Sequence, residues 1–73
     1  MTADPQDLRL RINGADRTVP GPITVEELLV HLEIDGRQVA VERNKKLVPK
    51  SEFDRTDLAP GDELEIVTFV GGG

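Results

Sequence analysis

Apolar and polar residues alternate at the start of the chain in the pattern of a β-strand. Leu8, Leu10 and Ile12 are separated by arginines, which is the period of a strand buried on one face. Asn13-Gly14 follows, a pair that suits the positive φ angles of a tight hairpin turn. We therefore expect a hairpin whose second strand runs over residues 15–19.

The spacing of apolar residues becomes helical after the loop Pro20-Gly21-Pro22. Thr24 and Glu27 have the spacing of a capping box, and Ile23 stands where it can form a hydrophobic staple. The apolar residues that follow are three and four positions apart: Val25, Leu28, Leu29, Leu32. The pattern predicts one amphipathic helix that starts at Thr24 and ends at Asp35-Gly36.

The second half of the chain predicts three more strands. Residues 39–42 alternate again, residues 44–46 form a turn, and Leu47-Val48 forms a short strand that Pro49 ends. The last strand is predicted over residues 63–70.

Two turn signals precede this last strand. Ser51 and Asp54 have the spacing of a briefly capped helical turn, which would let Phe53 close one end of the core. Residues 59–62 read Ala-Pro-Gly-Asp, as a type II turn requires.

These elements predict an α+β fold with a mixed four- to five-stranded sheet, one main helix and a short helical turn. A single helix covers only one face of such a sheet, so the other face is expected to stay open. We assign residues 1–7 to a flexible N-terminal extension, residues 8–70 to the domain and residues 71–73 to a flexible glycine tail.

Composition excludes several classes of function. The chain has 73 residues, no cysteine and a net charge of -5, so we expect one small domain without disulfides and without affinity for nucleic acid. No apolar run approaches the length of a membrane span, and the polar start is unlike a signal peptide. We expect a cytoplasmic protein.

Few residues in the body are candidates for catalysis. His31 is the only histidine and is predicted to be a solvated helix residue rather than a general base. Ser51 has no histidine near it in sequence, and no acidic residues have metal-ligand spacing. We expect neither a catalytic residue nor a metal site, and the body is not predicted to be an enzyme.

The last strand changes character along its length. If Leu64 and Ile66 face the core, Glu65, Val67 and Phe69 lie on the opposite face, whose second half is then apolar. Exposed apolar residues often mark an interaction site, whereas packing of Phe69 over the sheet edge would remove it. Both readings stay open at this point, and the predicted docking residues include Val70.

Three glycines follow this strand at residues 71–73. Such a segment is either inert padding or a thin, extensible arm that ends in a carboxylate. A carboxylate is ionised at neutral pH and is a poor electrophile, so it would have to be activated by an ATP-using partner. The narrow glycine arm would let it reach the nucleotide of that partner.

Six motifs together resemble a known family over residues 8–73. They are Ile12-Asn13-Gly14, Thr24-Val25-Glu26-Glu27-Leu28-Leu29, Val39-Ala40-Val41-Glu42-Arg43-Asn44, Val48-Pro49, Pro60-Gly61-Asp62 and Gly72-Gly73. The chain resembles the ThiS-like sulfur carriers of thiamin biosynthesis, which have the β-grasp fold of ubiquitin. The resemblance implies that Gly73 carries sulfur as a thiocarboxylate and that Gly72 is its partner in the motif.

The same resemblance implies the partners. A ubiquitin-activating-type adenylyltransferase (ThiF-like) would adenylate Gly73 with ATP and magnesium, and a sulfur donor such as a cysteine desulfurase would supply sulfur. Thiazole synthase (ThiG-like) would accept it, while the carrier itself binds neither ATP nor metal. The third glycine, Gly71, and the extension at residues 1–7 depart from the family pattern, which leaves the fine geometry with partners open.

Three alternatives remain at this stage. Carriers for molybdopterin or cysteine synthesis share the glycine ending, although the short chain favours thiamin. The chain is alternatively a ubiquitin-like protein modifier that forms isopeptide bonds through Gly73. A third alternative is that the chain is an inert interaction module that only docks partners through Val67 and Phe69.

Overall fold

The computed structural model describes residues 7–69 and shows six main elements. In chain order these are β1 (Leu8–Ile12), β2 (Ala15–Val19), α1 (Val25–His31), β3 (Val39–Arg43), β4 (Lys46–Val48) and β5 (Glu63–Thr68). Short 3-10 helices span Gly36–Gln38 and Lys50–Glu52.

The strands form one five-stranded sheet in the order β2-β1-β5-β3-β4. β1 and β5 are parallel, whereas the other neighbouring pairs are antiparallel. The predicted mixed sheet with one main helix is therefore confirmed. No helix within residues 7–69 is long and apolar enough to cross a membrane.

The core lies between α1 and one face of the sheet. Alternate residues of β1, β3 and β5 are buried there, and Val25 and Leu28 of α1 are 0% exposed. Burying an aliphatic side chain of this size stabilises the fold by about 1.5–3 kcal/mol. The buried apolar residues are Leu8, Leu10, Ile12, Val19, Ile23, Val25, Leu28, Leu29, Val39, Val41, Val48, Phe53, Leu58, Leu64 and Ile66.

The start of α1 follows the sequence signal closely. The Thr24 hydroxyl accepts a hydrogen bond from the Glu27 backbone N–H at 3.1 Å, and the Glu27 carboxylate accepts one from the Thr24 N–H at 2.9 Å. The predicted capping box is confirmed. It satisfies donors that the first helical turn leaves without partners.

The predicted exit from the helix at Asp35-Gly36 is wrong. The helix ends at His31 with Leu32 as its C-cap. Beyond the cap, Glu33 N–H donates to Val30 C=O and Ile34 N–H donates to Leu29 C=O. These two bonds form a Schellman motif, with Glu33 in the left-handed conformation at a φ of 59°. Asp35 instead caps the following 3-10 helix by accepting from the Arg37 N–H. We expected a glycine to end the helix, but the residue that takes the left-handed conformation after it is Glu33.

Replacing Glu33 with glycine should stabilise the protein. A residue with a Cβ in the left-handed region costs about 1–2 kcal/mol, and part of that cost returns as the entropy of a glycine in the unfolded chain. We expect Glu33→Gly to raise the free energy of unfolding by about 0.5–1 kcal/mol in urea denaturation. Glu33→Ala removes the same charge but keeps the strained φ, so it should give no such gain. Equal effects of the two substitutions would contradict this explanation.

The predicted cap at Ser51 is also wrong. The 3-10 helix begins after Pro49 and has no side-chain cap, while Ser51 and Asp54 are exposed. A proline sets the φ angle of the entry without a side-chain hydrogen bond. The helical turn itself is confirmed, and so is Phe53 as a core residue with 6% exposure.

The turns were predicted well from their residue types. Asn13 and Gly14 both have positive φ angles, as do Asn44 and Lys45, which alone form the turn between β3 and β4. The predicted turn residue Lys46 lies in β4 instead. The type II turn is confirmed by a φ of 86° at Gly61.

Several predictions concern residues outside the described range. The last strand ends at Thr68 rather than at residue 70. Residues 1–6 of the proposed extension, Val70 and the tail at residues 71–73 lie beyond the described part of the chain. Their assignment stays a prediction.

Candidate functional site

Phe69, which follows β5 and precedes the residues that lead to the glycines, is held by two contacts. Phe69 N–H donates to Gln38 C=O at 2.8 Å. Lys50 places its Nζ 5.0 Å from the centre of the Phe69 ring and donates to Arg37 C=O at 2.8 Å. A cation at this distance is attracted to the face of an aromatic ring. The point from which residues 70–73 depart is therefore defined.

The 3-10 helix Gly36–Gln38 supplies the carbonyl groups of Arg37 and Gln38. An exposed ion pair braces the loop at its start. Arg37 Nη2 lies 2.9 Å from Asp35 Oδ2, and Arg37 Nε donates to Asp35 Oδ1. The hydrogen bond from the Arg37 side chain lowers the pKa of Asp35 to about 2. Water screens an exposed pair, so its main effect is to orient the loop.

Asn13 holds β5 from the opposite side. β1 and β5 share only two register positions, Arg11 with Glu63 and Ile12 with Leu64. Beyond them, Asn13 Nδ2 donates to Ile66 C=O at 3.2 Å and Asn13 Oδ1 accepts from Ile66 N–H at 2.8 Å. The side-chain amide of Asn13 thus continues the hydrogen bonding to β5 beyond the end of β1.

Val67 and Phe69 are exposed, at 55% and 50%. The possibility that Phe69 packs into the core is therefore excluded. Val67 lies opposite Ala40 in the register, on the face that α1 does not cover, and Leu47 of the outer strand β4 is 66% exposed. Apolar side chains are thus available for docking close to the departure point of the tail. Docking itself stays a prediction.

A charged network fixes the other end of β5. Asp62 is 7% exposed and accepts hydrogen bonds from Arg43 Nε at 2.8 Å, Asn44 Nδ2 at 3.1 Å and Ala59 N–H at 2.8 Å. Burial alone raises the pKa of Asp62, but these hydrogen bonds outweigh it and the pKa is lowered. Asp62 therefore joins the β3–β4 turn to the start of β5.

The two side chains considered for catalysis, His31 and Ser51, lie on the surface of the body. His31 is exposed, as predicted, and Ser51 is exposed as well. Within residues 7–69 no three acidic or histidine side chains lie close enough to hold a metal ion. Of the predicted site residues, the structure places Val67 and Phe69, whereas Val70, Gly71, Gly72 and Gly73 lie outside the described residues.

Sequence reasoning missed the residues that hold the base of the tail. Lys50 and Asn13 gave no signal of that role, because their partners are distant in sequence. Lys50 contacts Phe69, and Asn13 contacts Ile66 across 53 residues. The Asn13-Gly14 pair predicted the turn correctly, but it did not indicate that the Asn13 side chain also bonds Ile66 of β5.

Comparison with known proteins adds the family. The model described as "ThiS family" matches residues 10–73. The sulfur carrier protein ThiS of Bacillus subtilis is 37% identical over 65 residues, which cover 88% of this chain and 98% of that protein. The crystal structure of the thiamine biosynthesis protein ThiS from Geobacter metallireducens matches with a TM-score of 0.78 at 36% identity, over 90% of this chain and 100% of that one.

A longer relative contains a similar segment. The thiazole synthase of Paramagnetospirillum magneticum is 50% identical over 66 residues, which are 90% of this chain. The chain spans only 20% of the length of that protein. The structural match confirms the predicted β-grasp fold, and the family match covers far more than half of the sequence. The chain therefore belongs to the ThiS family.

Proposed function

We propose that this chain is a sulfur carrier for the synthesis of the thiazole of thiamin, and that the Gly73 carboxylate is its working group. The observation that carries the proposal is the similarity to the Bacillus subtilis sulfur carrier over nearly the full length of both proteins. The site agrees with it, because a braced strand with exposed apolar side chains leads directly to the glycines. The chain is a co-substrate of other enzymes.

The chemistry starts with activation of the carboxylate. An oxygen of Gly73 attacks the α-phosphorus of ATP, pyrophosphate leaves, and the acyl carbon becomes electrophilic. The ATP and magnesium belong to a ThiF-like adenylyltransferase. The terminal sulfur of a donor persulfide, formed by an enzyme such as a cysteine desulfurase, then displaces AMP. A thiol cleaves the acyl disulfide, supplies the two electrons and leaves the thiocarboxylate.

The body of the chain determines how far this group reaches. Four residues beyond Phe69 span at most about 14 Å when fully extended. Because Lys50 and Gln38 fix the position of Phe69, the distance from the docked body to the nucleotide has an upper limit. Glycines let the arm pass through a channel that is too narrow for side chains.

The longer relative supports thiazole synthase (ThiG-like) as the acceptor. A segment similar to this chain occupies one fifth of a protein named thiazole synthase, so the two functions can share one polypeptide. We infer that this chain delivers sulfur to an enzyme of the same kind in the cytoplasm. This comparison favours thiamin over molybdopterin or cysteine synthesis, and a carrier over a protein modifier.

The exchange of labelled pyrophosphate into ATP tests the activation step. A ThiF-like adenylyltransferase should catalyse this exchange only when the chain is present. Adding a persulfide donor and thiazole synthase should then move sulfur into the thiazole product. Exchange that is independent of the chain, or conjugates of the chain with lysines of other proteins, would contradict the proposal.

Val67 should contribute to the affinity for the activating enzyme. Val67→Ser removes apolar surface at an exposed position, so we expect little change in stability but about 3- to 10-fold weaker binding, measured by calorimetry. Val30→Ser is the matched control, because Val30 is 71% exposed but lies on α1, on the other side of the sheet. Equal losses for both variants would contradict docking through the open face.

A further inference from the structure

Two carboxylates stand opposite each other on the open face of the sheet. Glu42 of β3 and Glu65 of β5 are register partners in the antiparallel pair, and both are exposed. Side chains in such a pair start about 5 Å apart at Cβ. Like charges directly opposite each other destabilise a sheet, so this pairing works against the fold of the free protein.

No cation of residues 7–69 forms an ion pair with either carboxylate. The ion pairs within residues 7–69 join Arg37 to Asp35, Arg43 to Asp62 and Arg55 to Asp54. Arg43 is the neighbour of Glu42 in sequence but is held 2.8 Å from Asp62.

Two further cations lie near the pair without closing an ion pair. Arg11 and Lys45 line the same shallow hollow of about 270 Å³ as the two glutamates. Glu63 also lines this hollow, which adds a third carboxylate. The hollow therefore keeps a surplus of negative charge that is available to a partner.

Apolar side chains border the carboxylates on both sides. Leu47 is the register partner of Glu42 on β4, and Val67 lies two residues beyond Glu65 on the same face. Both are more than half exposed. A partner that covers these apolar groups also removes water from the carboxylates, and buried charges need a counterion.

We propose that Glu42 and Glu65 together bind a basic side chain, an arginine, of the activating enzyme when that enzyme covers Leu47 and Val67. The inference rests on the proposed function. The planar guanidinium group carries enough donors to bond both carboxylates at once. An adenylyltransferase without a cation at this point would leave two carboxylates unpaired, so the pair selects the partner.

The distinctive consequence is that stability and affinity change in opposite directions. Glu65→Gln and Glu42→Gln keep the size of the side chain but remove the repulsion. The melting temperature should stay equal or rise, while the dissociation constant for the ThiF-like adenylyltransferase should increase about tenfold or more. The affinity of the unchanged protein should also fall with added salt more steeply than that of either variant.

Glu26→Gln is the matched control, because Glu26 is an exposed glutamate on α1. It makes the same change in net charge away from the open face and should leave the affinity within about twofold. Variants of Glu42 and Glu65 that bind as tightly as the unchanged protein would overturn the inference, and so would an equal loss in Glu26→Gln. If the unchanged protein is neither bound nor adenylated, the proposed function itself fails, which is a different result.

Discussion

Removal of Gly72 and Gly73 is expected to abolish thiocarboxylate formation without unfolding the protein. The new carboxylate would stand on Gly71, two residues beyond Phe69, so its maximum reach falls from about 14 Å to about 7 Å. Misplacement of a reacting group by even 1 Å costs about 100-fold in rate. We therefore expect adenylation to fall by more than about 1,000-fold in the pyrophosphate exchange assay.

Two controls separate the loss of reach from the loss of the carboxylate. A synthetic chain that ends in a carboxamide at Gly73 keeps the length but should also be inactive, because an amide is not adenylated. Deletion of Gly71 alone removes the glycine that exceeds the family pattern and keeps the Gly72-Gly73 ending with its carboxylate, so it should lose less activity than the double deletion. The melting temperature should not change in any of these, since the described core ends at Ile66. Adenylation of the doubly shortened chain at a near-normal rate would contradict the account.

Replacing Asp62 with alanine is expected to cause a large loss of stability, about 2–4 kcal/mol in urea denaturation. The substitution leaves Arg43, Asn44 and the Ala59 N–H without the acceptor that they share. Asn44 also receives a bond from Glu63 N–H, so the start of β5 should loosen as well. Asp54→Ala removes an exposed carboxylate with only a 3.8 Å contact to Arg55 and should cost little.

The pH dependence gives an independent test of the same network. Because the folded pKa of Asp62 is lowered, its ionisation stabilises the protein above the unfolded value of about 3.9, and this contribution is lost as pH falls through the folded pKa. The stability difference between the unchanged protein and Asp62→Asn should therefore be greatest near neutral pH and shrink below about pH 4. A difference that is constant from pH 7 to pH 3 would contradict the assigned role.

Most of the fold could be predicted because its signals are local. The alternation in residues 8–12, the capping box at Thr24 and the positive φ at Gly61 each depend on residues close in sequence. Two of the errors, at the helix exit and at Ser51, occurred where the backbone formed its own hydrogen bonds or turn without a side-chain cap. Glu33 took a conformation usually left to glycine, and Pro49 began a turn without any side-chain cap.

The site was predictable only in part. The glycines and the outward position of Val67 follow from the sequence and from strand periodicity. The contacts of Asn13 with Ile66 and of Lys50 with Phe69 depend on the order of the strands, which periodicity does not determine. The same holds for Glu42 and Glu65, because their charges become neighbours only through the register of β3 and β5.

The most direct test of the central claim is the mass of the protein after reaction with the ThiF-like adenylyltransferase, ATP, magnesium and a persulfide donor. We predict a gain equal to the exchange of one oxygen for one sulfur, with fragmentation placing the sulfur on Gly73. An unchanged mass under conditions in which the Bacillus subtilis carrier is converted would contradict the claim. Sulfur found on any residue other than Gly73 would contradict it as well.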